Sequence, residues 1–175
     1  MERNYILKGR RISLKPIEES SKEEMKSMLV NKEIKKTYML PDFASNEELD
    51  KYFYRLKAIT EKIDKFVYGI YLEDILIGFL NEVDKKDNKM ELGYFLDPKY
   101  WNQGYASEAL MLAIQELFRI GINTVKAAHF EGNNASARVM QKCGMSRTNE
   151  EEYIEYRGVN HRCIYYQIDK DNLIN

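Results

Sequence analysis

The fold is decided by residues 96–109, which have the sequence Leu-Asp-Pro-Lys-Tyr-Trp-Asn-Gln-Gly-Tyr-Ala-Ser-Glu-Ala. The pattern is typical of a strand end, a loop with one glycine, and a helix start with small residues. Gly104 and Ala106 allow successive backbone N–H groups to point toward one place, with the positive end of the helix dipole behind them. This arrangement favours an anion site of pyrophosphate size, and an ordinary strand-to-helix turn would have the same pattern.

Two familiar nucleotide-binding motifs are absent from the sequence. The chain has no Gly-x-x-x-x-Gly-Lys-Ser/Thr, the signature of a P-loop, and no Gly-x-Gly-x-x-Gly, the signature of a dinucleotide fold. An anion site at Gly104 would therefore belong to neither class.

Outward from this stretch, the hydrophobic pattern predicts the element order β-α-α-β-β-β-α-β-α-β-β. The strands are expected at 11–15, 66–72, 75–83, 91–96 and 124–130, and a last hairpin at 151–156 and 161–168. The helices are expected at about 20–30, 46–63, 106–120 and 135–143. Three strands joined by polar turns at 73–74 and 84–88 predict an antiparallel meander that runs into a β-α-β unit. We expect an α+β fold, with a mostly antiparallel sheet flanked by helices, and a single domain over residues 1–175.

Composition excludes several classes of protein. The 27 basic and 28 acidic residues give a net charge of −1, so nucleic acid is not an expected partner. No apolar run approaches the length of a membrane span or a signal peptide, which favours a cytoplasmic protein without a membrane partner. Cys143 and Cys163 lack metal-site spacing, so no metal is expected.

Two signatures resemble those of the GNAT acetyltransferases. Residues 101–106, Trp-Asn-Gln-Gly-Tyr-Ala, resemble motif A of that family, Arg/Gln-x-x-Gly-x-Gly/Ala. Residues 133–145, Asn-Asn-Ala-Ser-Ala-Arg-Val-Met-Gln-Lys-Cys-Gly-Met, resemble the second signature, Asn-x-x-Ser…Glu-Lys-x-Gly-Phe. Residues 91–98, Glu-Leu-Gly-Tyr-Phe-Leu-Asp-Pro, match the strand before motif A in the branch of the Rim-type ribosomal-protein acetyltransferases. The resemblance extends from about Arg11 to Ile168.

The resemblance implies a GNAT-type fold and acetyl-CoA as the acetyl donor. In that fold the fourth and fifth strands begin together and splay apart, and the pantetheine arm lies in the gap. Here the gap would lie between Phe95–Leu96 and the strand at 124–130. The implied cofactor-binding residues are Phe95, Leu96, Asn102, Gln103, Gly104, Tyr105, Ala106, Ser107 and Asn133.

The sequence departs from the family pattern at three positions. Trp101 replaces the usual Arg or Gln of motif A, and Met145 replaces the Phe after Gly144. Many members carry a Tyr seven residues after the motif Asn as general acid, and that position is Met140 here. The resemblance therefore points to Ser136 for protonating or orienting the departing thiol.

Acetyl transfer to an amine needs a base for the amine and a donor for the thioester oxygen. Glu91, in the strand before the cofactor loop, is the first candidate for the base, and Glu82 is the second; the two could act together through water. The resemblance implies oxyanion donors among the backbone N–H groups near Tyr94–Phe95, where a bulge is a family habit. Ser136 and Asn133 each have a structural alternative, since Asn133 could cap the helix that Ser136 enters.

Several questions stay open from the sequence. The acceptor amine could be a protein N-terminus, a polyamine, an aminoglycoside or an amino acid. The alternative to an enzyme is a non-catalytic acetyl-CoA or acyl-CoA sensor with the same fold, and a structural interaction domain is a third, weaker reading. The C-terminal hairpin is apolar enough for edge pairing, so a homodimer is possible.

Overall fold

An eight-stranded sheet forms the centre of the computed structural model, which describes residues 2–173. The ends of the expected domain, Met1 and residues 174–175, lie outside the described residues. The strands are β1 (Leu7–Lys8), β2 (Ile12–Lys15), β3 (Val67–Leu72), β4 (Ile75–Lys86), β5 (Lys89–Leu96), β6 (Thr124–Phe130), β7 (Ser146–Tyr156) and β8 (Val159–Asp169). They lie in the order β1-β2-β3-β4-β5-β6-β8-β7, and of the neighbouring pairs only β5–β6 is parallel. The expected α+β architecture is confirmed.

Within the described residues, five α-helices cover the two faces of this sheet. They are α1 (Lys22–Leu29), α2 (Lys32–Lys35), α3 (Asn46–Thr60), α4 (Tyr105–Arg119) and α5 (Asn134–Lys142). One core cluster joins α4 and α5 to the sheet, and we call that side of the sheet the α4 face. A second cluster joins α1, α2 and α3 to β3, β4 and β5 on the opposite side, the α3 face.

Local capping explains where the long α3 helix begins. The Ser45 side chain accepts a hydrogen bond from the Glu48 backbone N–H at 3.2 Å, and the Glu48 carboxylate accepts one from Ala44 N–H at 2.8 Å. Backbone donors at a helix start have no partner within the helix, so these two contacts satisfy groups that would otherwise be free. The apolar residues Leu49 and Phe53 then bury one side of the helix.

The expected elements are present, and the structure adds two short ones and lengthens two strands. β1 has two residues and α2 has four, too short for a hydrophobic period to be visible. β4 continues to Lys86 and pairs with Lys89–Glu91, where a polar turn over 84–88 was expected. β7 begins at Ser146, earlier than the expected residue 151. Its first residues are mostly exposed and polar, so they show no alternation that would predict a strand, and the register shifts between Arg147 and Glu151.

The only parallel pair of the described sheet is also where the sheet comes apart. β5 and β6 pair over four positions, from Lys89 opposite Thr124 to Leu92 opposite Ala127. β5 continues to Leu96 paired only with β4, and β6 continues to Phe130 paired only with β8. The two strands therefore separate after Leu92, as the resemblance implied.

The close approach of β4 to β5 requires glycine at position 78. A Cβ atom built on Gly78 would overlap the Phe95 carbonyl oxygen and lie 2.5 Å from Leu96 Cδ2. We expect Gly78→Ala to lower the free energy of unfolding by about 1–3 kcal/mol, because backbone must shift to accommodate the methyl group. Urea unfolding monitored by circular dichroism measures this loss.

Gly93, on β5, is the matched control for this substitution. A Cβ atom there would meet only side-chain atoms, Val83 Cγ2 at 3.1 Å and Asn81 Oδ1 at 3.2 Å among them, which can move by a few tenths of an ångström. Gly93→Ala should therefore cost clearly less stability than Gly78→Ala. Equal losses would contradict the argument from backbone contact.

Candidate active site

A cavity of about 430 Å³ lies where β5 and β6 separate, beneath the N-terminal ends of α4 and α5. Eight of the nine expected cofactor-binding residues line this α4–α5 cavity. They are Phe95, Leu96, Asn102, Gly104, Tyr105, Ala106, Ser107 and Asn133. The ninth, Gln103, is not among its lining residues, since the Gln103 side chain donates a hydrogen bond back to the Lys99 carbonyl at 3.0 Å.

The start of α4 presents unpaired backbone donors to the cavity. Gly104 is the N-cap residue in a left-handed conformation (φ 85°), and it has no side chain to cap the helix. The first hydrogen bond of the helix runs from Glu108 N–H to the Gly104 carbonyl, so the N–H groups of Tyr105, Ala106 and Ser107 have no acceptor within the helix. Such a group of donors, at the positive end of a 15-residue helix, binds anions.

Arg11, the residue just before β2, holds the loop before α4 in place. Its guanidinium donates to the Gln103 carbonyl at 2.9 Å and to the Glu108 carboxylate at 2.9 Å, and it lies 4.5 Å from the centre of the Tyr105 ring. The same carboxylate accepts the Arg11 backbone N–H at 2.7 Å. These contacts preorganise the loop, so the ordering cost is met on folding and not on ligand binding.

The first turn of α5 places a hydroxyl in the cavity. Asn133 is the N-cap of α5, its carbonyl oxygen accepting from Ser136 N–H at 3.2 Å and its amide donating to Ser136 Oγ at 3.0 Å. Because Ser136 Oγ accepts this bond, its own proton remains available to a group in the cavity. The structural role foreseen for Asn133 is thus present, and its side chain still lines the cavity.

A tyrosine that the sequence analysis did not assign to the site also lines the cavity. The Tyr94 hydroxyl is buried and has no hydrogen-bond partner among the residues from 2 to 173. Burial raises the pKa of Tyr94 above its ordinary value, and the nearby Ser136 side chain opposes this in part. A buried hydroxyl without a protein partner is rare in a folded protein, and it suits a bound group that can form a hydrogen bond. Met140, in contrast, is buried in the core cluster and brings no hydroxyl.

Two cations of α5 were also missed. Arg138 and Lys142 line the cavity, and neither forms an ion pair within the described part of the chain. They are four residues apart and so lie on one side of the helix. Measured from Ala135, which also lines the cavity, the two cations follow at three and seven residues, and that helical spacing was the signal in the sequence that could have found them.

The two expected carboxylates lie on opposite faces of the sheet. Glu82 pairs across the strands with Leu92, which belongs to the α4 face. Its carboxylate accepts the Phe66 backbone N–H at 2.9 Å and lies 3.2 Å from Lys65 Nζ. Glu91 is one position away from Leu92 and so points to the α3 face. This placement separates the two carboxylates that could have acted together through water, and Glu82 is engaged by the Phe66 N–H and by Lys65.

Glu91 lies at the lower end of a second cleft, on the α3 face. We use the name Glu91 cleft for the part of this face around Glu91, Ala128 and Phe130, where β6 pairs with β8 of the hairpin. Glu91 is opposite Lys126 in the β5–β6 pair, and Lys126 bonds Glu150 at 2.5 Å. Burial raises the pKa of Glu91, with Lys126 opposing.

The β7–β8 hairpin is fastened over this cleft. The Tyr156 hydroxyl accepts a hydrogen bond from Leu40 N–H at 3.3 Å, and Arg157 forms a two-pronged ion pair with Asp42, at 2.9 and 2.6 Å. Arg157 also donates to the Tyr156 hydroxyl at 2.9 Å. Residues more than a hundred positions apart thus join the hairpin to the segment after α2.

The backbone of β5 directs N–H groups into the gap between the α4–α5 cavity and the Glu91 cleft. Asp97 N–H donates to the Ile77 carbonyl on β4, so by alternation Tyr94 and Leu96 direct their N–H groups toward β6, where the strands have separated. Phe95 N–H points to β4. The bulge expected at Tyr94–Phe95 is absent, since this part of β5 pairs regularly and the register shift lies on β4 between Glu82 and Asp84.

Neither a metal site nor a membrane span is visible in the described residues. Among residues 2–173 no three His, Cys, Asp or Glu side chains come together as a metal site would require. Over the same range no helix has the length and apolar character needed to cross a bilayer.

Comparisons with known proteins agree on one family. The family model described as "Acetyltransferase (GNAT) domain" matches residues 11–146. The N-acetyltransferase YoaA of Bacillus subtilis (strain 168) is 26% identical over 171 residues, covering 94% of this chain and 97% of YoaA. A GNAT-family acetyltransferase from Bacillus anthracis has a similar structure, with a TM-score of 0.79, 23% identity, and coverage of 95% and 99%.

A further structure with the same fold is RimL, the ribosomal L7/L12 α-N-protein acetyltransferase, in complex with coenzyme A. Its TM-score is 0.79 at 19% identity, with 95% of this chain and 99% of that chain covered. At this identity the similarity concerns the fold.

The raised pKa of Glu91 predicts how a neutral substitution acts on stability. Because burial favours the protonated form in the folded state, ionisation of Glu91 costs stability as pH rises from its unfolded-state pKa through its folded-state pKa. Glu91→Gln should therefore raise the melting temperature at pH 8, and the gain should disappear near pH 4. Thermal unfolding at the two pH values measures this difference.

Glu155→Gln, which changes an exposed carboxylate on β7, is the control and should have no pH-dependent effect. A lower melting temperature for Glu91→Gln at pH 8 would mean that the Lys126 attraction outweighs the burial cost.

Proposed function

Since the chain belongs to the GNAT acetyltransferase family, we propose that this acyltransferase moves the acetyl group of acetyl-CoA directly to a primary amine. The observation that carries the proposal is the separation of β5 and β6 after Leu92. It joins the α4–α5 cavity, which is suited to a phosphate-bearing donor, to the Glu91 cleft, which is suited to an amine. One reaction can therefore draw its two substrates from opposite faces of the sheet.

The residues of the α4–α5 cavity fit acetyl-CoA. The free N–H groups of Tyr105, Ala106 and Ser107 suit a pyrophosphate, and Arg138 and Lys142 add two cations without carboxylate partners in the described chain. The unpartnered Tyr94 hydroxyl supplies a hydrogen-bond donor deeper in the same cavity. The β5 backbone from Gly93 to Leu96 can pair with the amides of a pantetheine arm as it would with a strand.

On the amine side, we assign the proton acceptor role to Glu91. An alkylamine is protonated at neutral pH and must lose a proton before it attacks a thioester. Burial raises the pKa of Glu91 toward the working range, which makes its carboxylate a better base than an exposed one. The adjacent Glu150 and Glu152 add negative charge, so the cleft attracts the cationic form of the amine first.

On the thioester side, two donors face the gap. Tyr94 N–H points toward β6 and can donate to the thioester oxygen as that oxygen gains charge. Ser136 can donate its hydroxyl proton to the departing sulfur and so act as the general acid. Met140, at the position where many family members carry a Tyr, has no hydroxyl for this role. The Tyr94 hydroxyl lies close to Ser136, and we propose that it supports the orientation of that hydroxyl.

Transfer is proposed to be direct, without an acyl-enzyme. Burial raises the pKa of Cys143 to about 12, so its thiol is neutral at physiological pH. The same thiol donates to the Ser107 carbonyl at 3.3 Å. A neutral, hydrogen-bonded thiol is a poor nucleophile. The amine itself is then the nucleophile that meets the thioester.

Coenzyme A release in the presence of an amine panel tests this proposal. The panel contains polyamines, aminoglycosides, amino acids and peptides with free N-termini, since RimL, a structural relative, is named for acetylating a protein N-terminus. Glu91→Gln should lower kcat on the preferred amine by about a hundredfold, the usual contribution of a general base. The melting shift produced by coenzyme A should be unchanged in this variant.

Turnover that survives Glu91→Gln would remove Glu91 from the mechanism. Coenzyme A binding without release on any amine would instead favour the sensor alternative, and no melting shift with coenzyme A would contradict the donor assignment.

The two α5 cations predict an effect confined to donor binding. Replacing both Arg138 and Lys142 by Gln should raise the KM for acetyl-CoA about tenfold and leave kcat nearly unchanged, because the phosphates lie far from the reacting carbonyl. S-acetylpantetheine, which lacks these phosphates, is the matched control substrate. Wild type and variant should use it equally, and a similar defect with both donors would show that the substitutions disturb the fold.

A further inference from the structure

A groove of about 510 Å³ on the α3 face lies outside the site described so far. It is formed by α2 and by the tip of the β7–β8 hairpin, and its cations are Lys32, Lys35, Lys36 and Arg157. We call it the basic groove. Its apolar wall includes Val30 and Val159, which are 48% and 54% exposed.

The basic groove has more positive than negative charge. Lys35 and Arg157 both form ion pairs with the single carboxylate of Asp42, at 2.8 and 2.6 Å, and Lys36 pairs with Glu33. Arg157, together with Lys35, holds the pKa of Asp42 well below its ordinary range. Lys32 has no ion pair within residues 2–173. Four cations therefore face two carboxylates, and an excess of two positive charges remains.

Aromatic contacts link the basic groove to the β6 residues near Glu91. His161 lines the groove and stacks on Phe130 of the cleft floor, with ring centres 4.3 Å apart and planes within 18°. Tyr156 likewise lines the groove and packs against the same cluster as Phe130. Phe130 is two residues beyond Ala128 on β6, about 7 Å along the strand at the usual rise per residue. Ala128 is the first β6 residue beyond the last pair with β5.

The other end of the same path has the opposite charge. Glu91 lies two residues before Gly93 on β5, with Glu150 and Glu152 nearby, and Lys126 is the cation among them. An acceptor that lies along this path has carboxylates, including Glu91, near its amine and the cations of the basic groove near its other end. Complementary charge at two ends selects both orientation and partner.

On the basis of the proposed function, we infer that the acceptor is a peptide N-terminus with an acidic side chain in its second to fourth residue, held in the basic groove. The separation supports a peptide: about 7 Å along β6 from Ala128 to Phe130 and a further 4.3 Å to the His161 ring lead to the groove, a path that about three extended residues span. The exposed Val30 and Val159 provide apolar contact for the intervening side chains.

Three peptides that differ only at residues 3 and 4 test this inference. The sequence Ser-Ala-X-X-Ala-Phe is prepared with X as Asp, Asn or Lys, and kcat/KM is measured by coenzyme A release. Two exposed charge pairs predict a preference of about fivefold to tenfold for Asp over Lys, with Asn between them. The preference should weaken at 0.5 M salt, because salt screens exposed charges.

Lys32→Glu tests the groove itself, because Lys32 is exposed and forms no ion pair among the described residues. The Asp-to-Lys preference should fall to near unity or invert. Lys8→Glu makes the same charge change on β1, at the far edge of the sheet, and should retain the wild-type preference.

Equal rates on the three peptides, acetylation of small amines alone, or an unchanged preference in Lys32→Glu would each overturn the inference. The proposed function survives these outcomes, since it requires only that some amine releases coenzyme A. It fails separately, when no amine in the panel does so.

Discussion

The separation of β5 and β6 is the constraint on which the rest of the structure depends. Beyond Leu92 the β5 backbone keeps its hydrogen bonds to β4 and loses those to β6, so Tyr94 and Leu96 direct N–H groups into open space. A row of unpaired groups inside a sheet is costly unless something else satisfies it. The indole N–H of Trp101 donates to the Leu96 carbonyl at 2.9 Å and so satisfies one backbone acceptor on this edge of β5. The other backbone groups on this edge can pair with a ligand that binds as a strand would.

Strand alternation then divides the chemistry between the two faces of the sheet. Tyr94 and Leu92 face α4 and α5, with Ser136 and the loop before α4, whereas Glu91 and Gly93 face the opposite side. The groups proposed for donor and acceptor are thus kept apart by the thickness of one sheet and can meet only through the gap. The same alternation places Glu82, opposite Leu92, on the other face from Glu91.

The sequence located the segments that line the α4–α5 cavity far better than those of the proposed acceptor side, for a physical reason. The loop before α4 and the N-terminal turn of α5 are continuous segments whose glycine, small residues and cap residue are visible locally. The hairpin contact is different, because Arg157 and Asp42 come together only through the whole fold. Short elements such as α2 carry no period. The relative facing of Glu82 and Glu91 depends on the pairing of Glu82 with Leu92 across two strands, which no local pattern reveals.

Family membership bears on the proposed donor side of the site and leaves the acceptor open. The fold brings the residues around Gly104 and Ser136 together in any chain that keeps these two segments, so family membership carries the donor chemistry with it. The walls of the proposed acceptor site come from α2, the segment 38–42, β6 and the C-terminal hairpin, none of which contains the loop before α4 or the first turn of α5. Acceptor choice in this chain therefore depends on the charged side chains of its own acceptor side. Of these, the two cations that share Asp42 are the most distinctive, because they fasten the hairpin and set the charge of the groove at the same time.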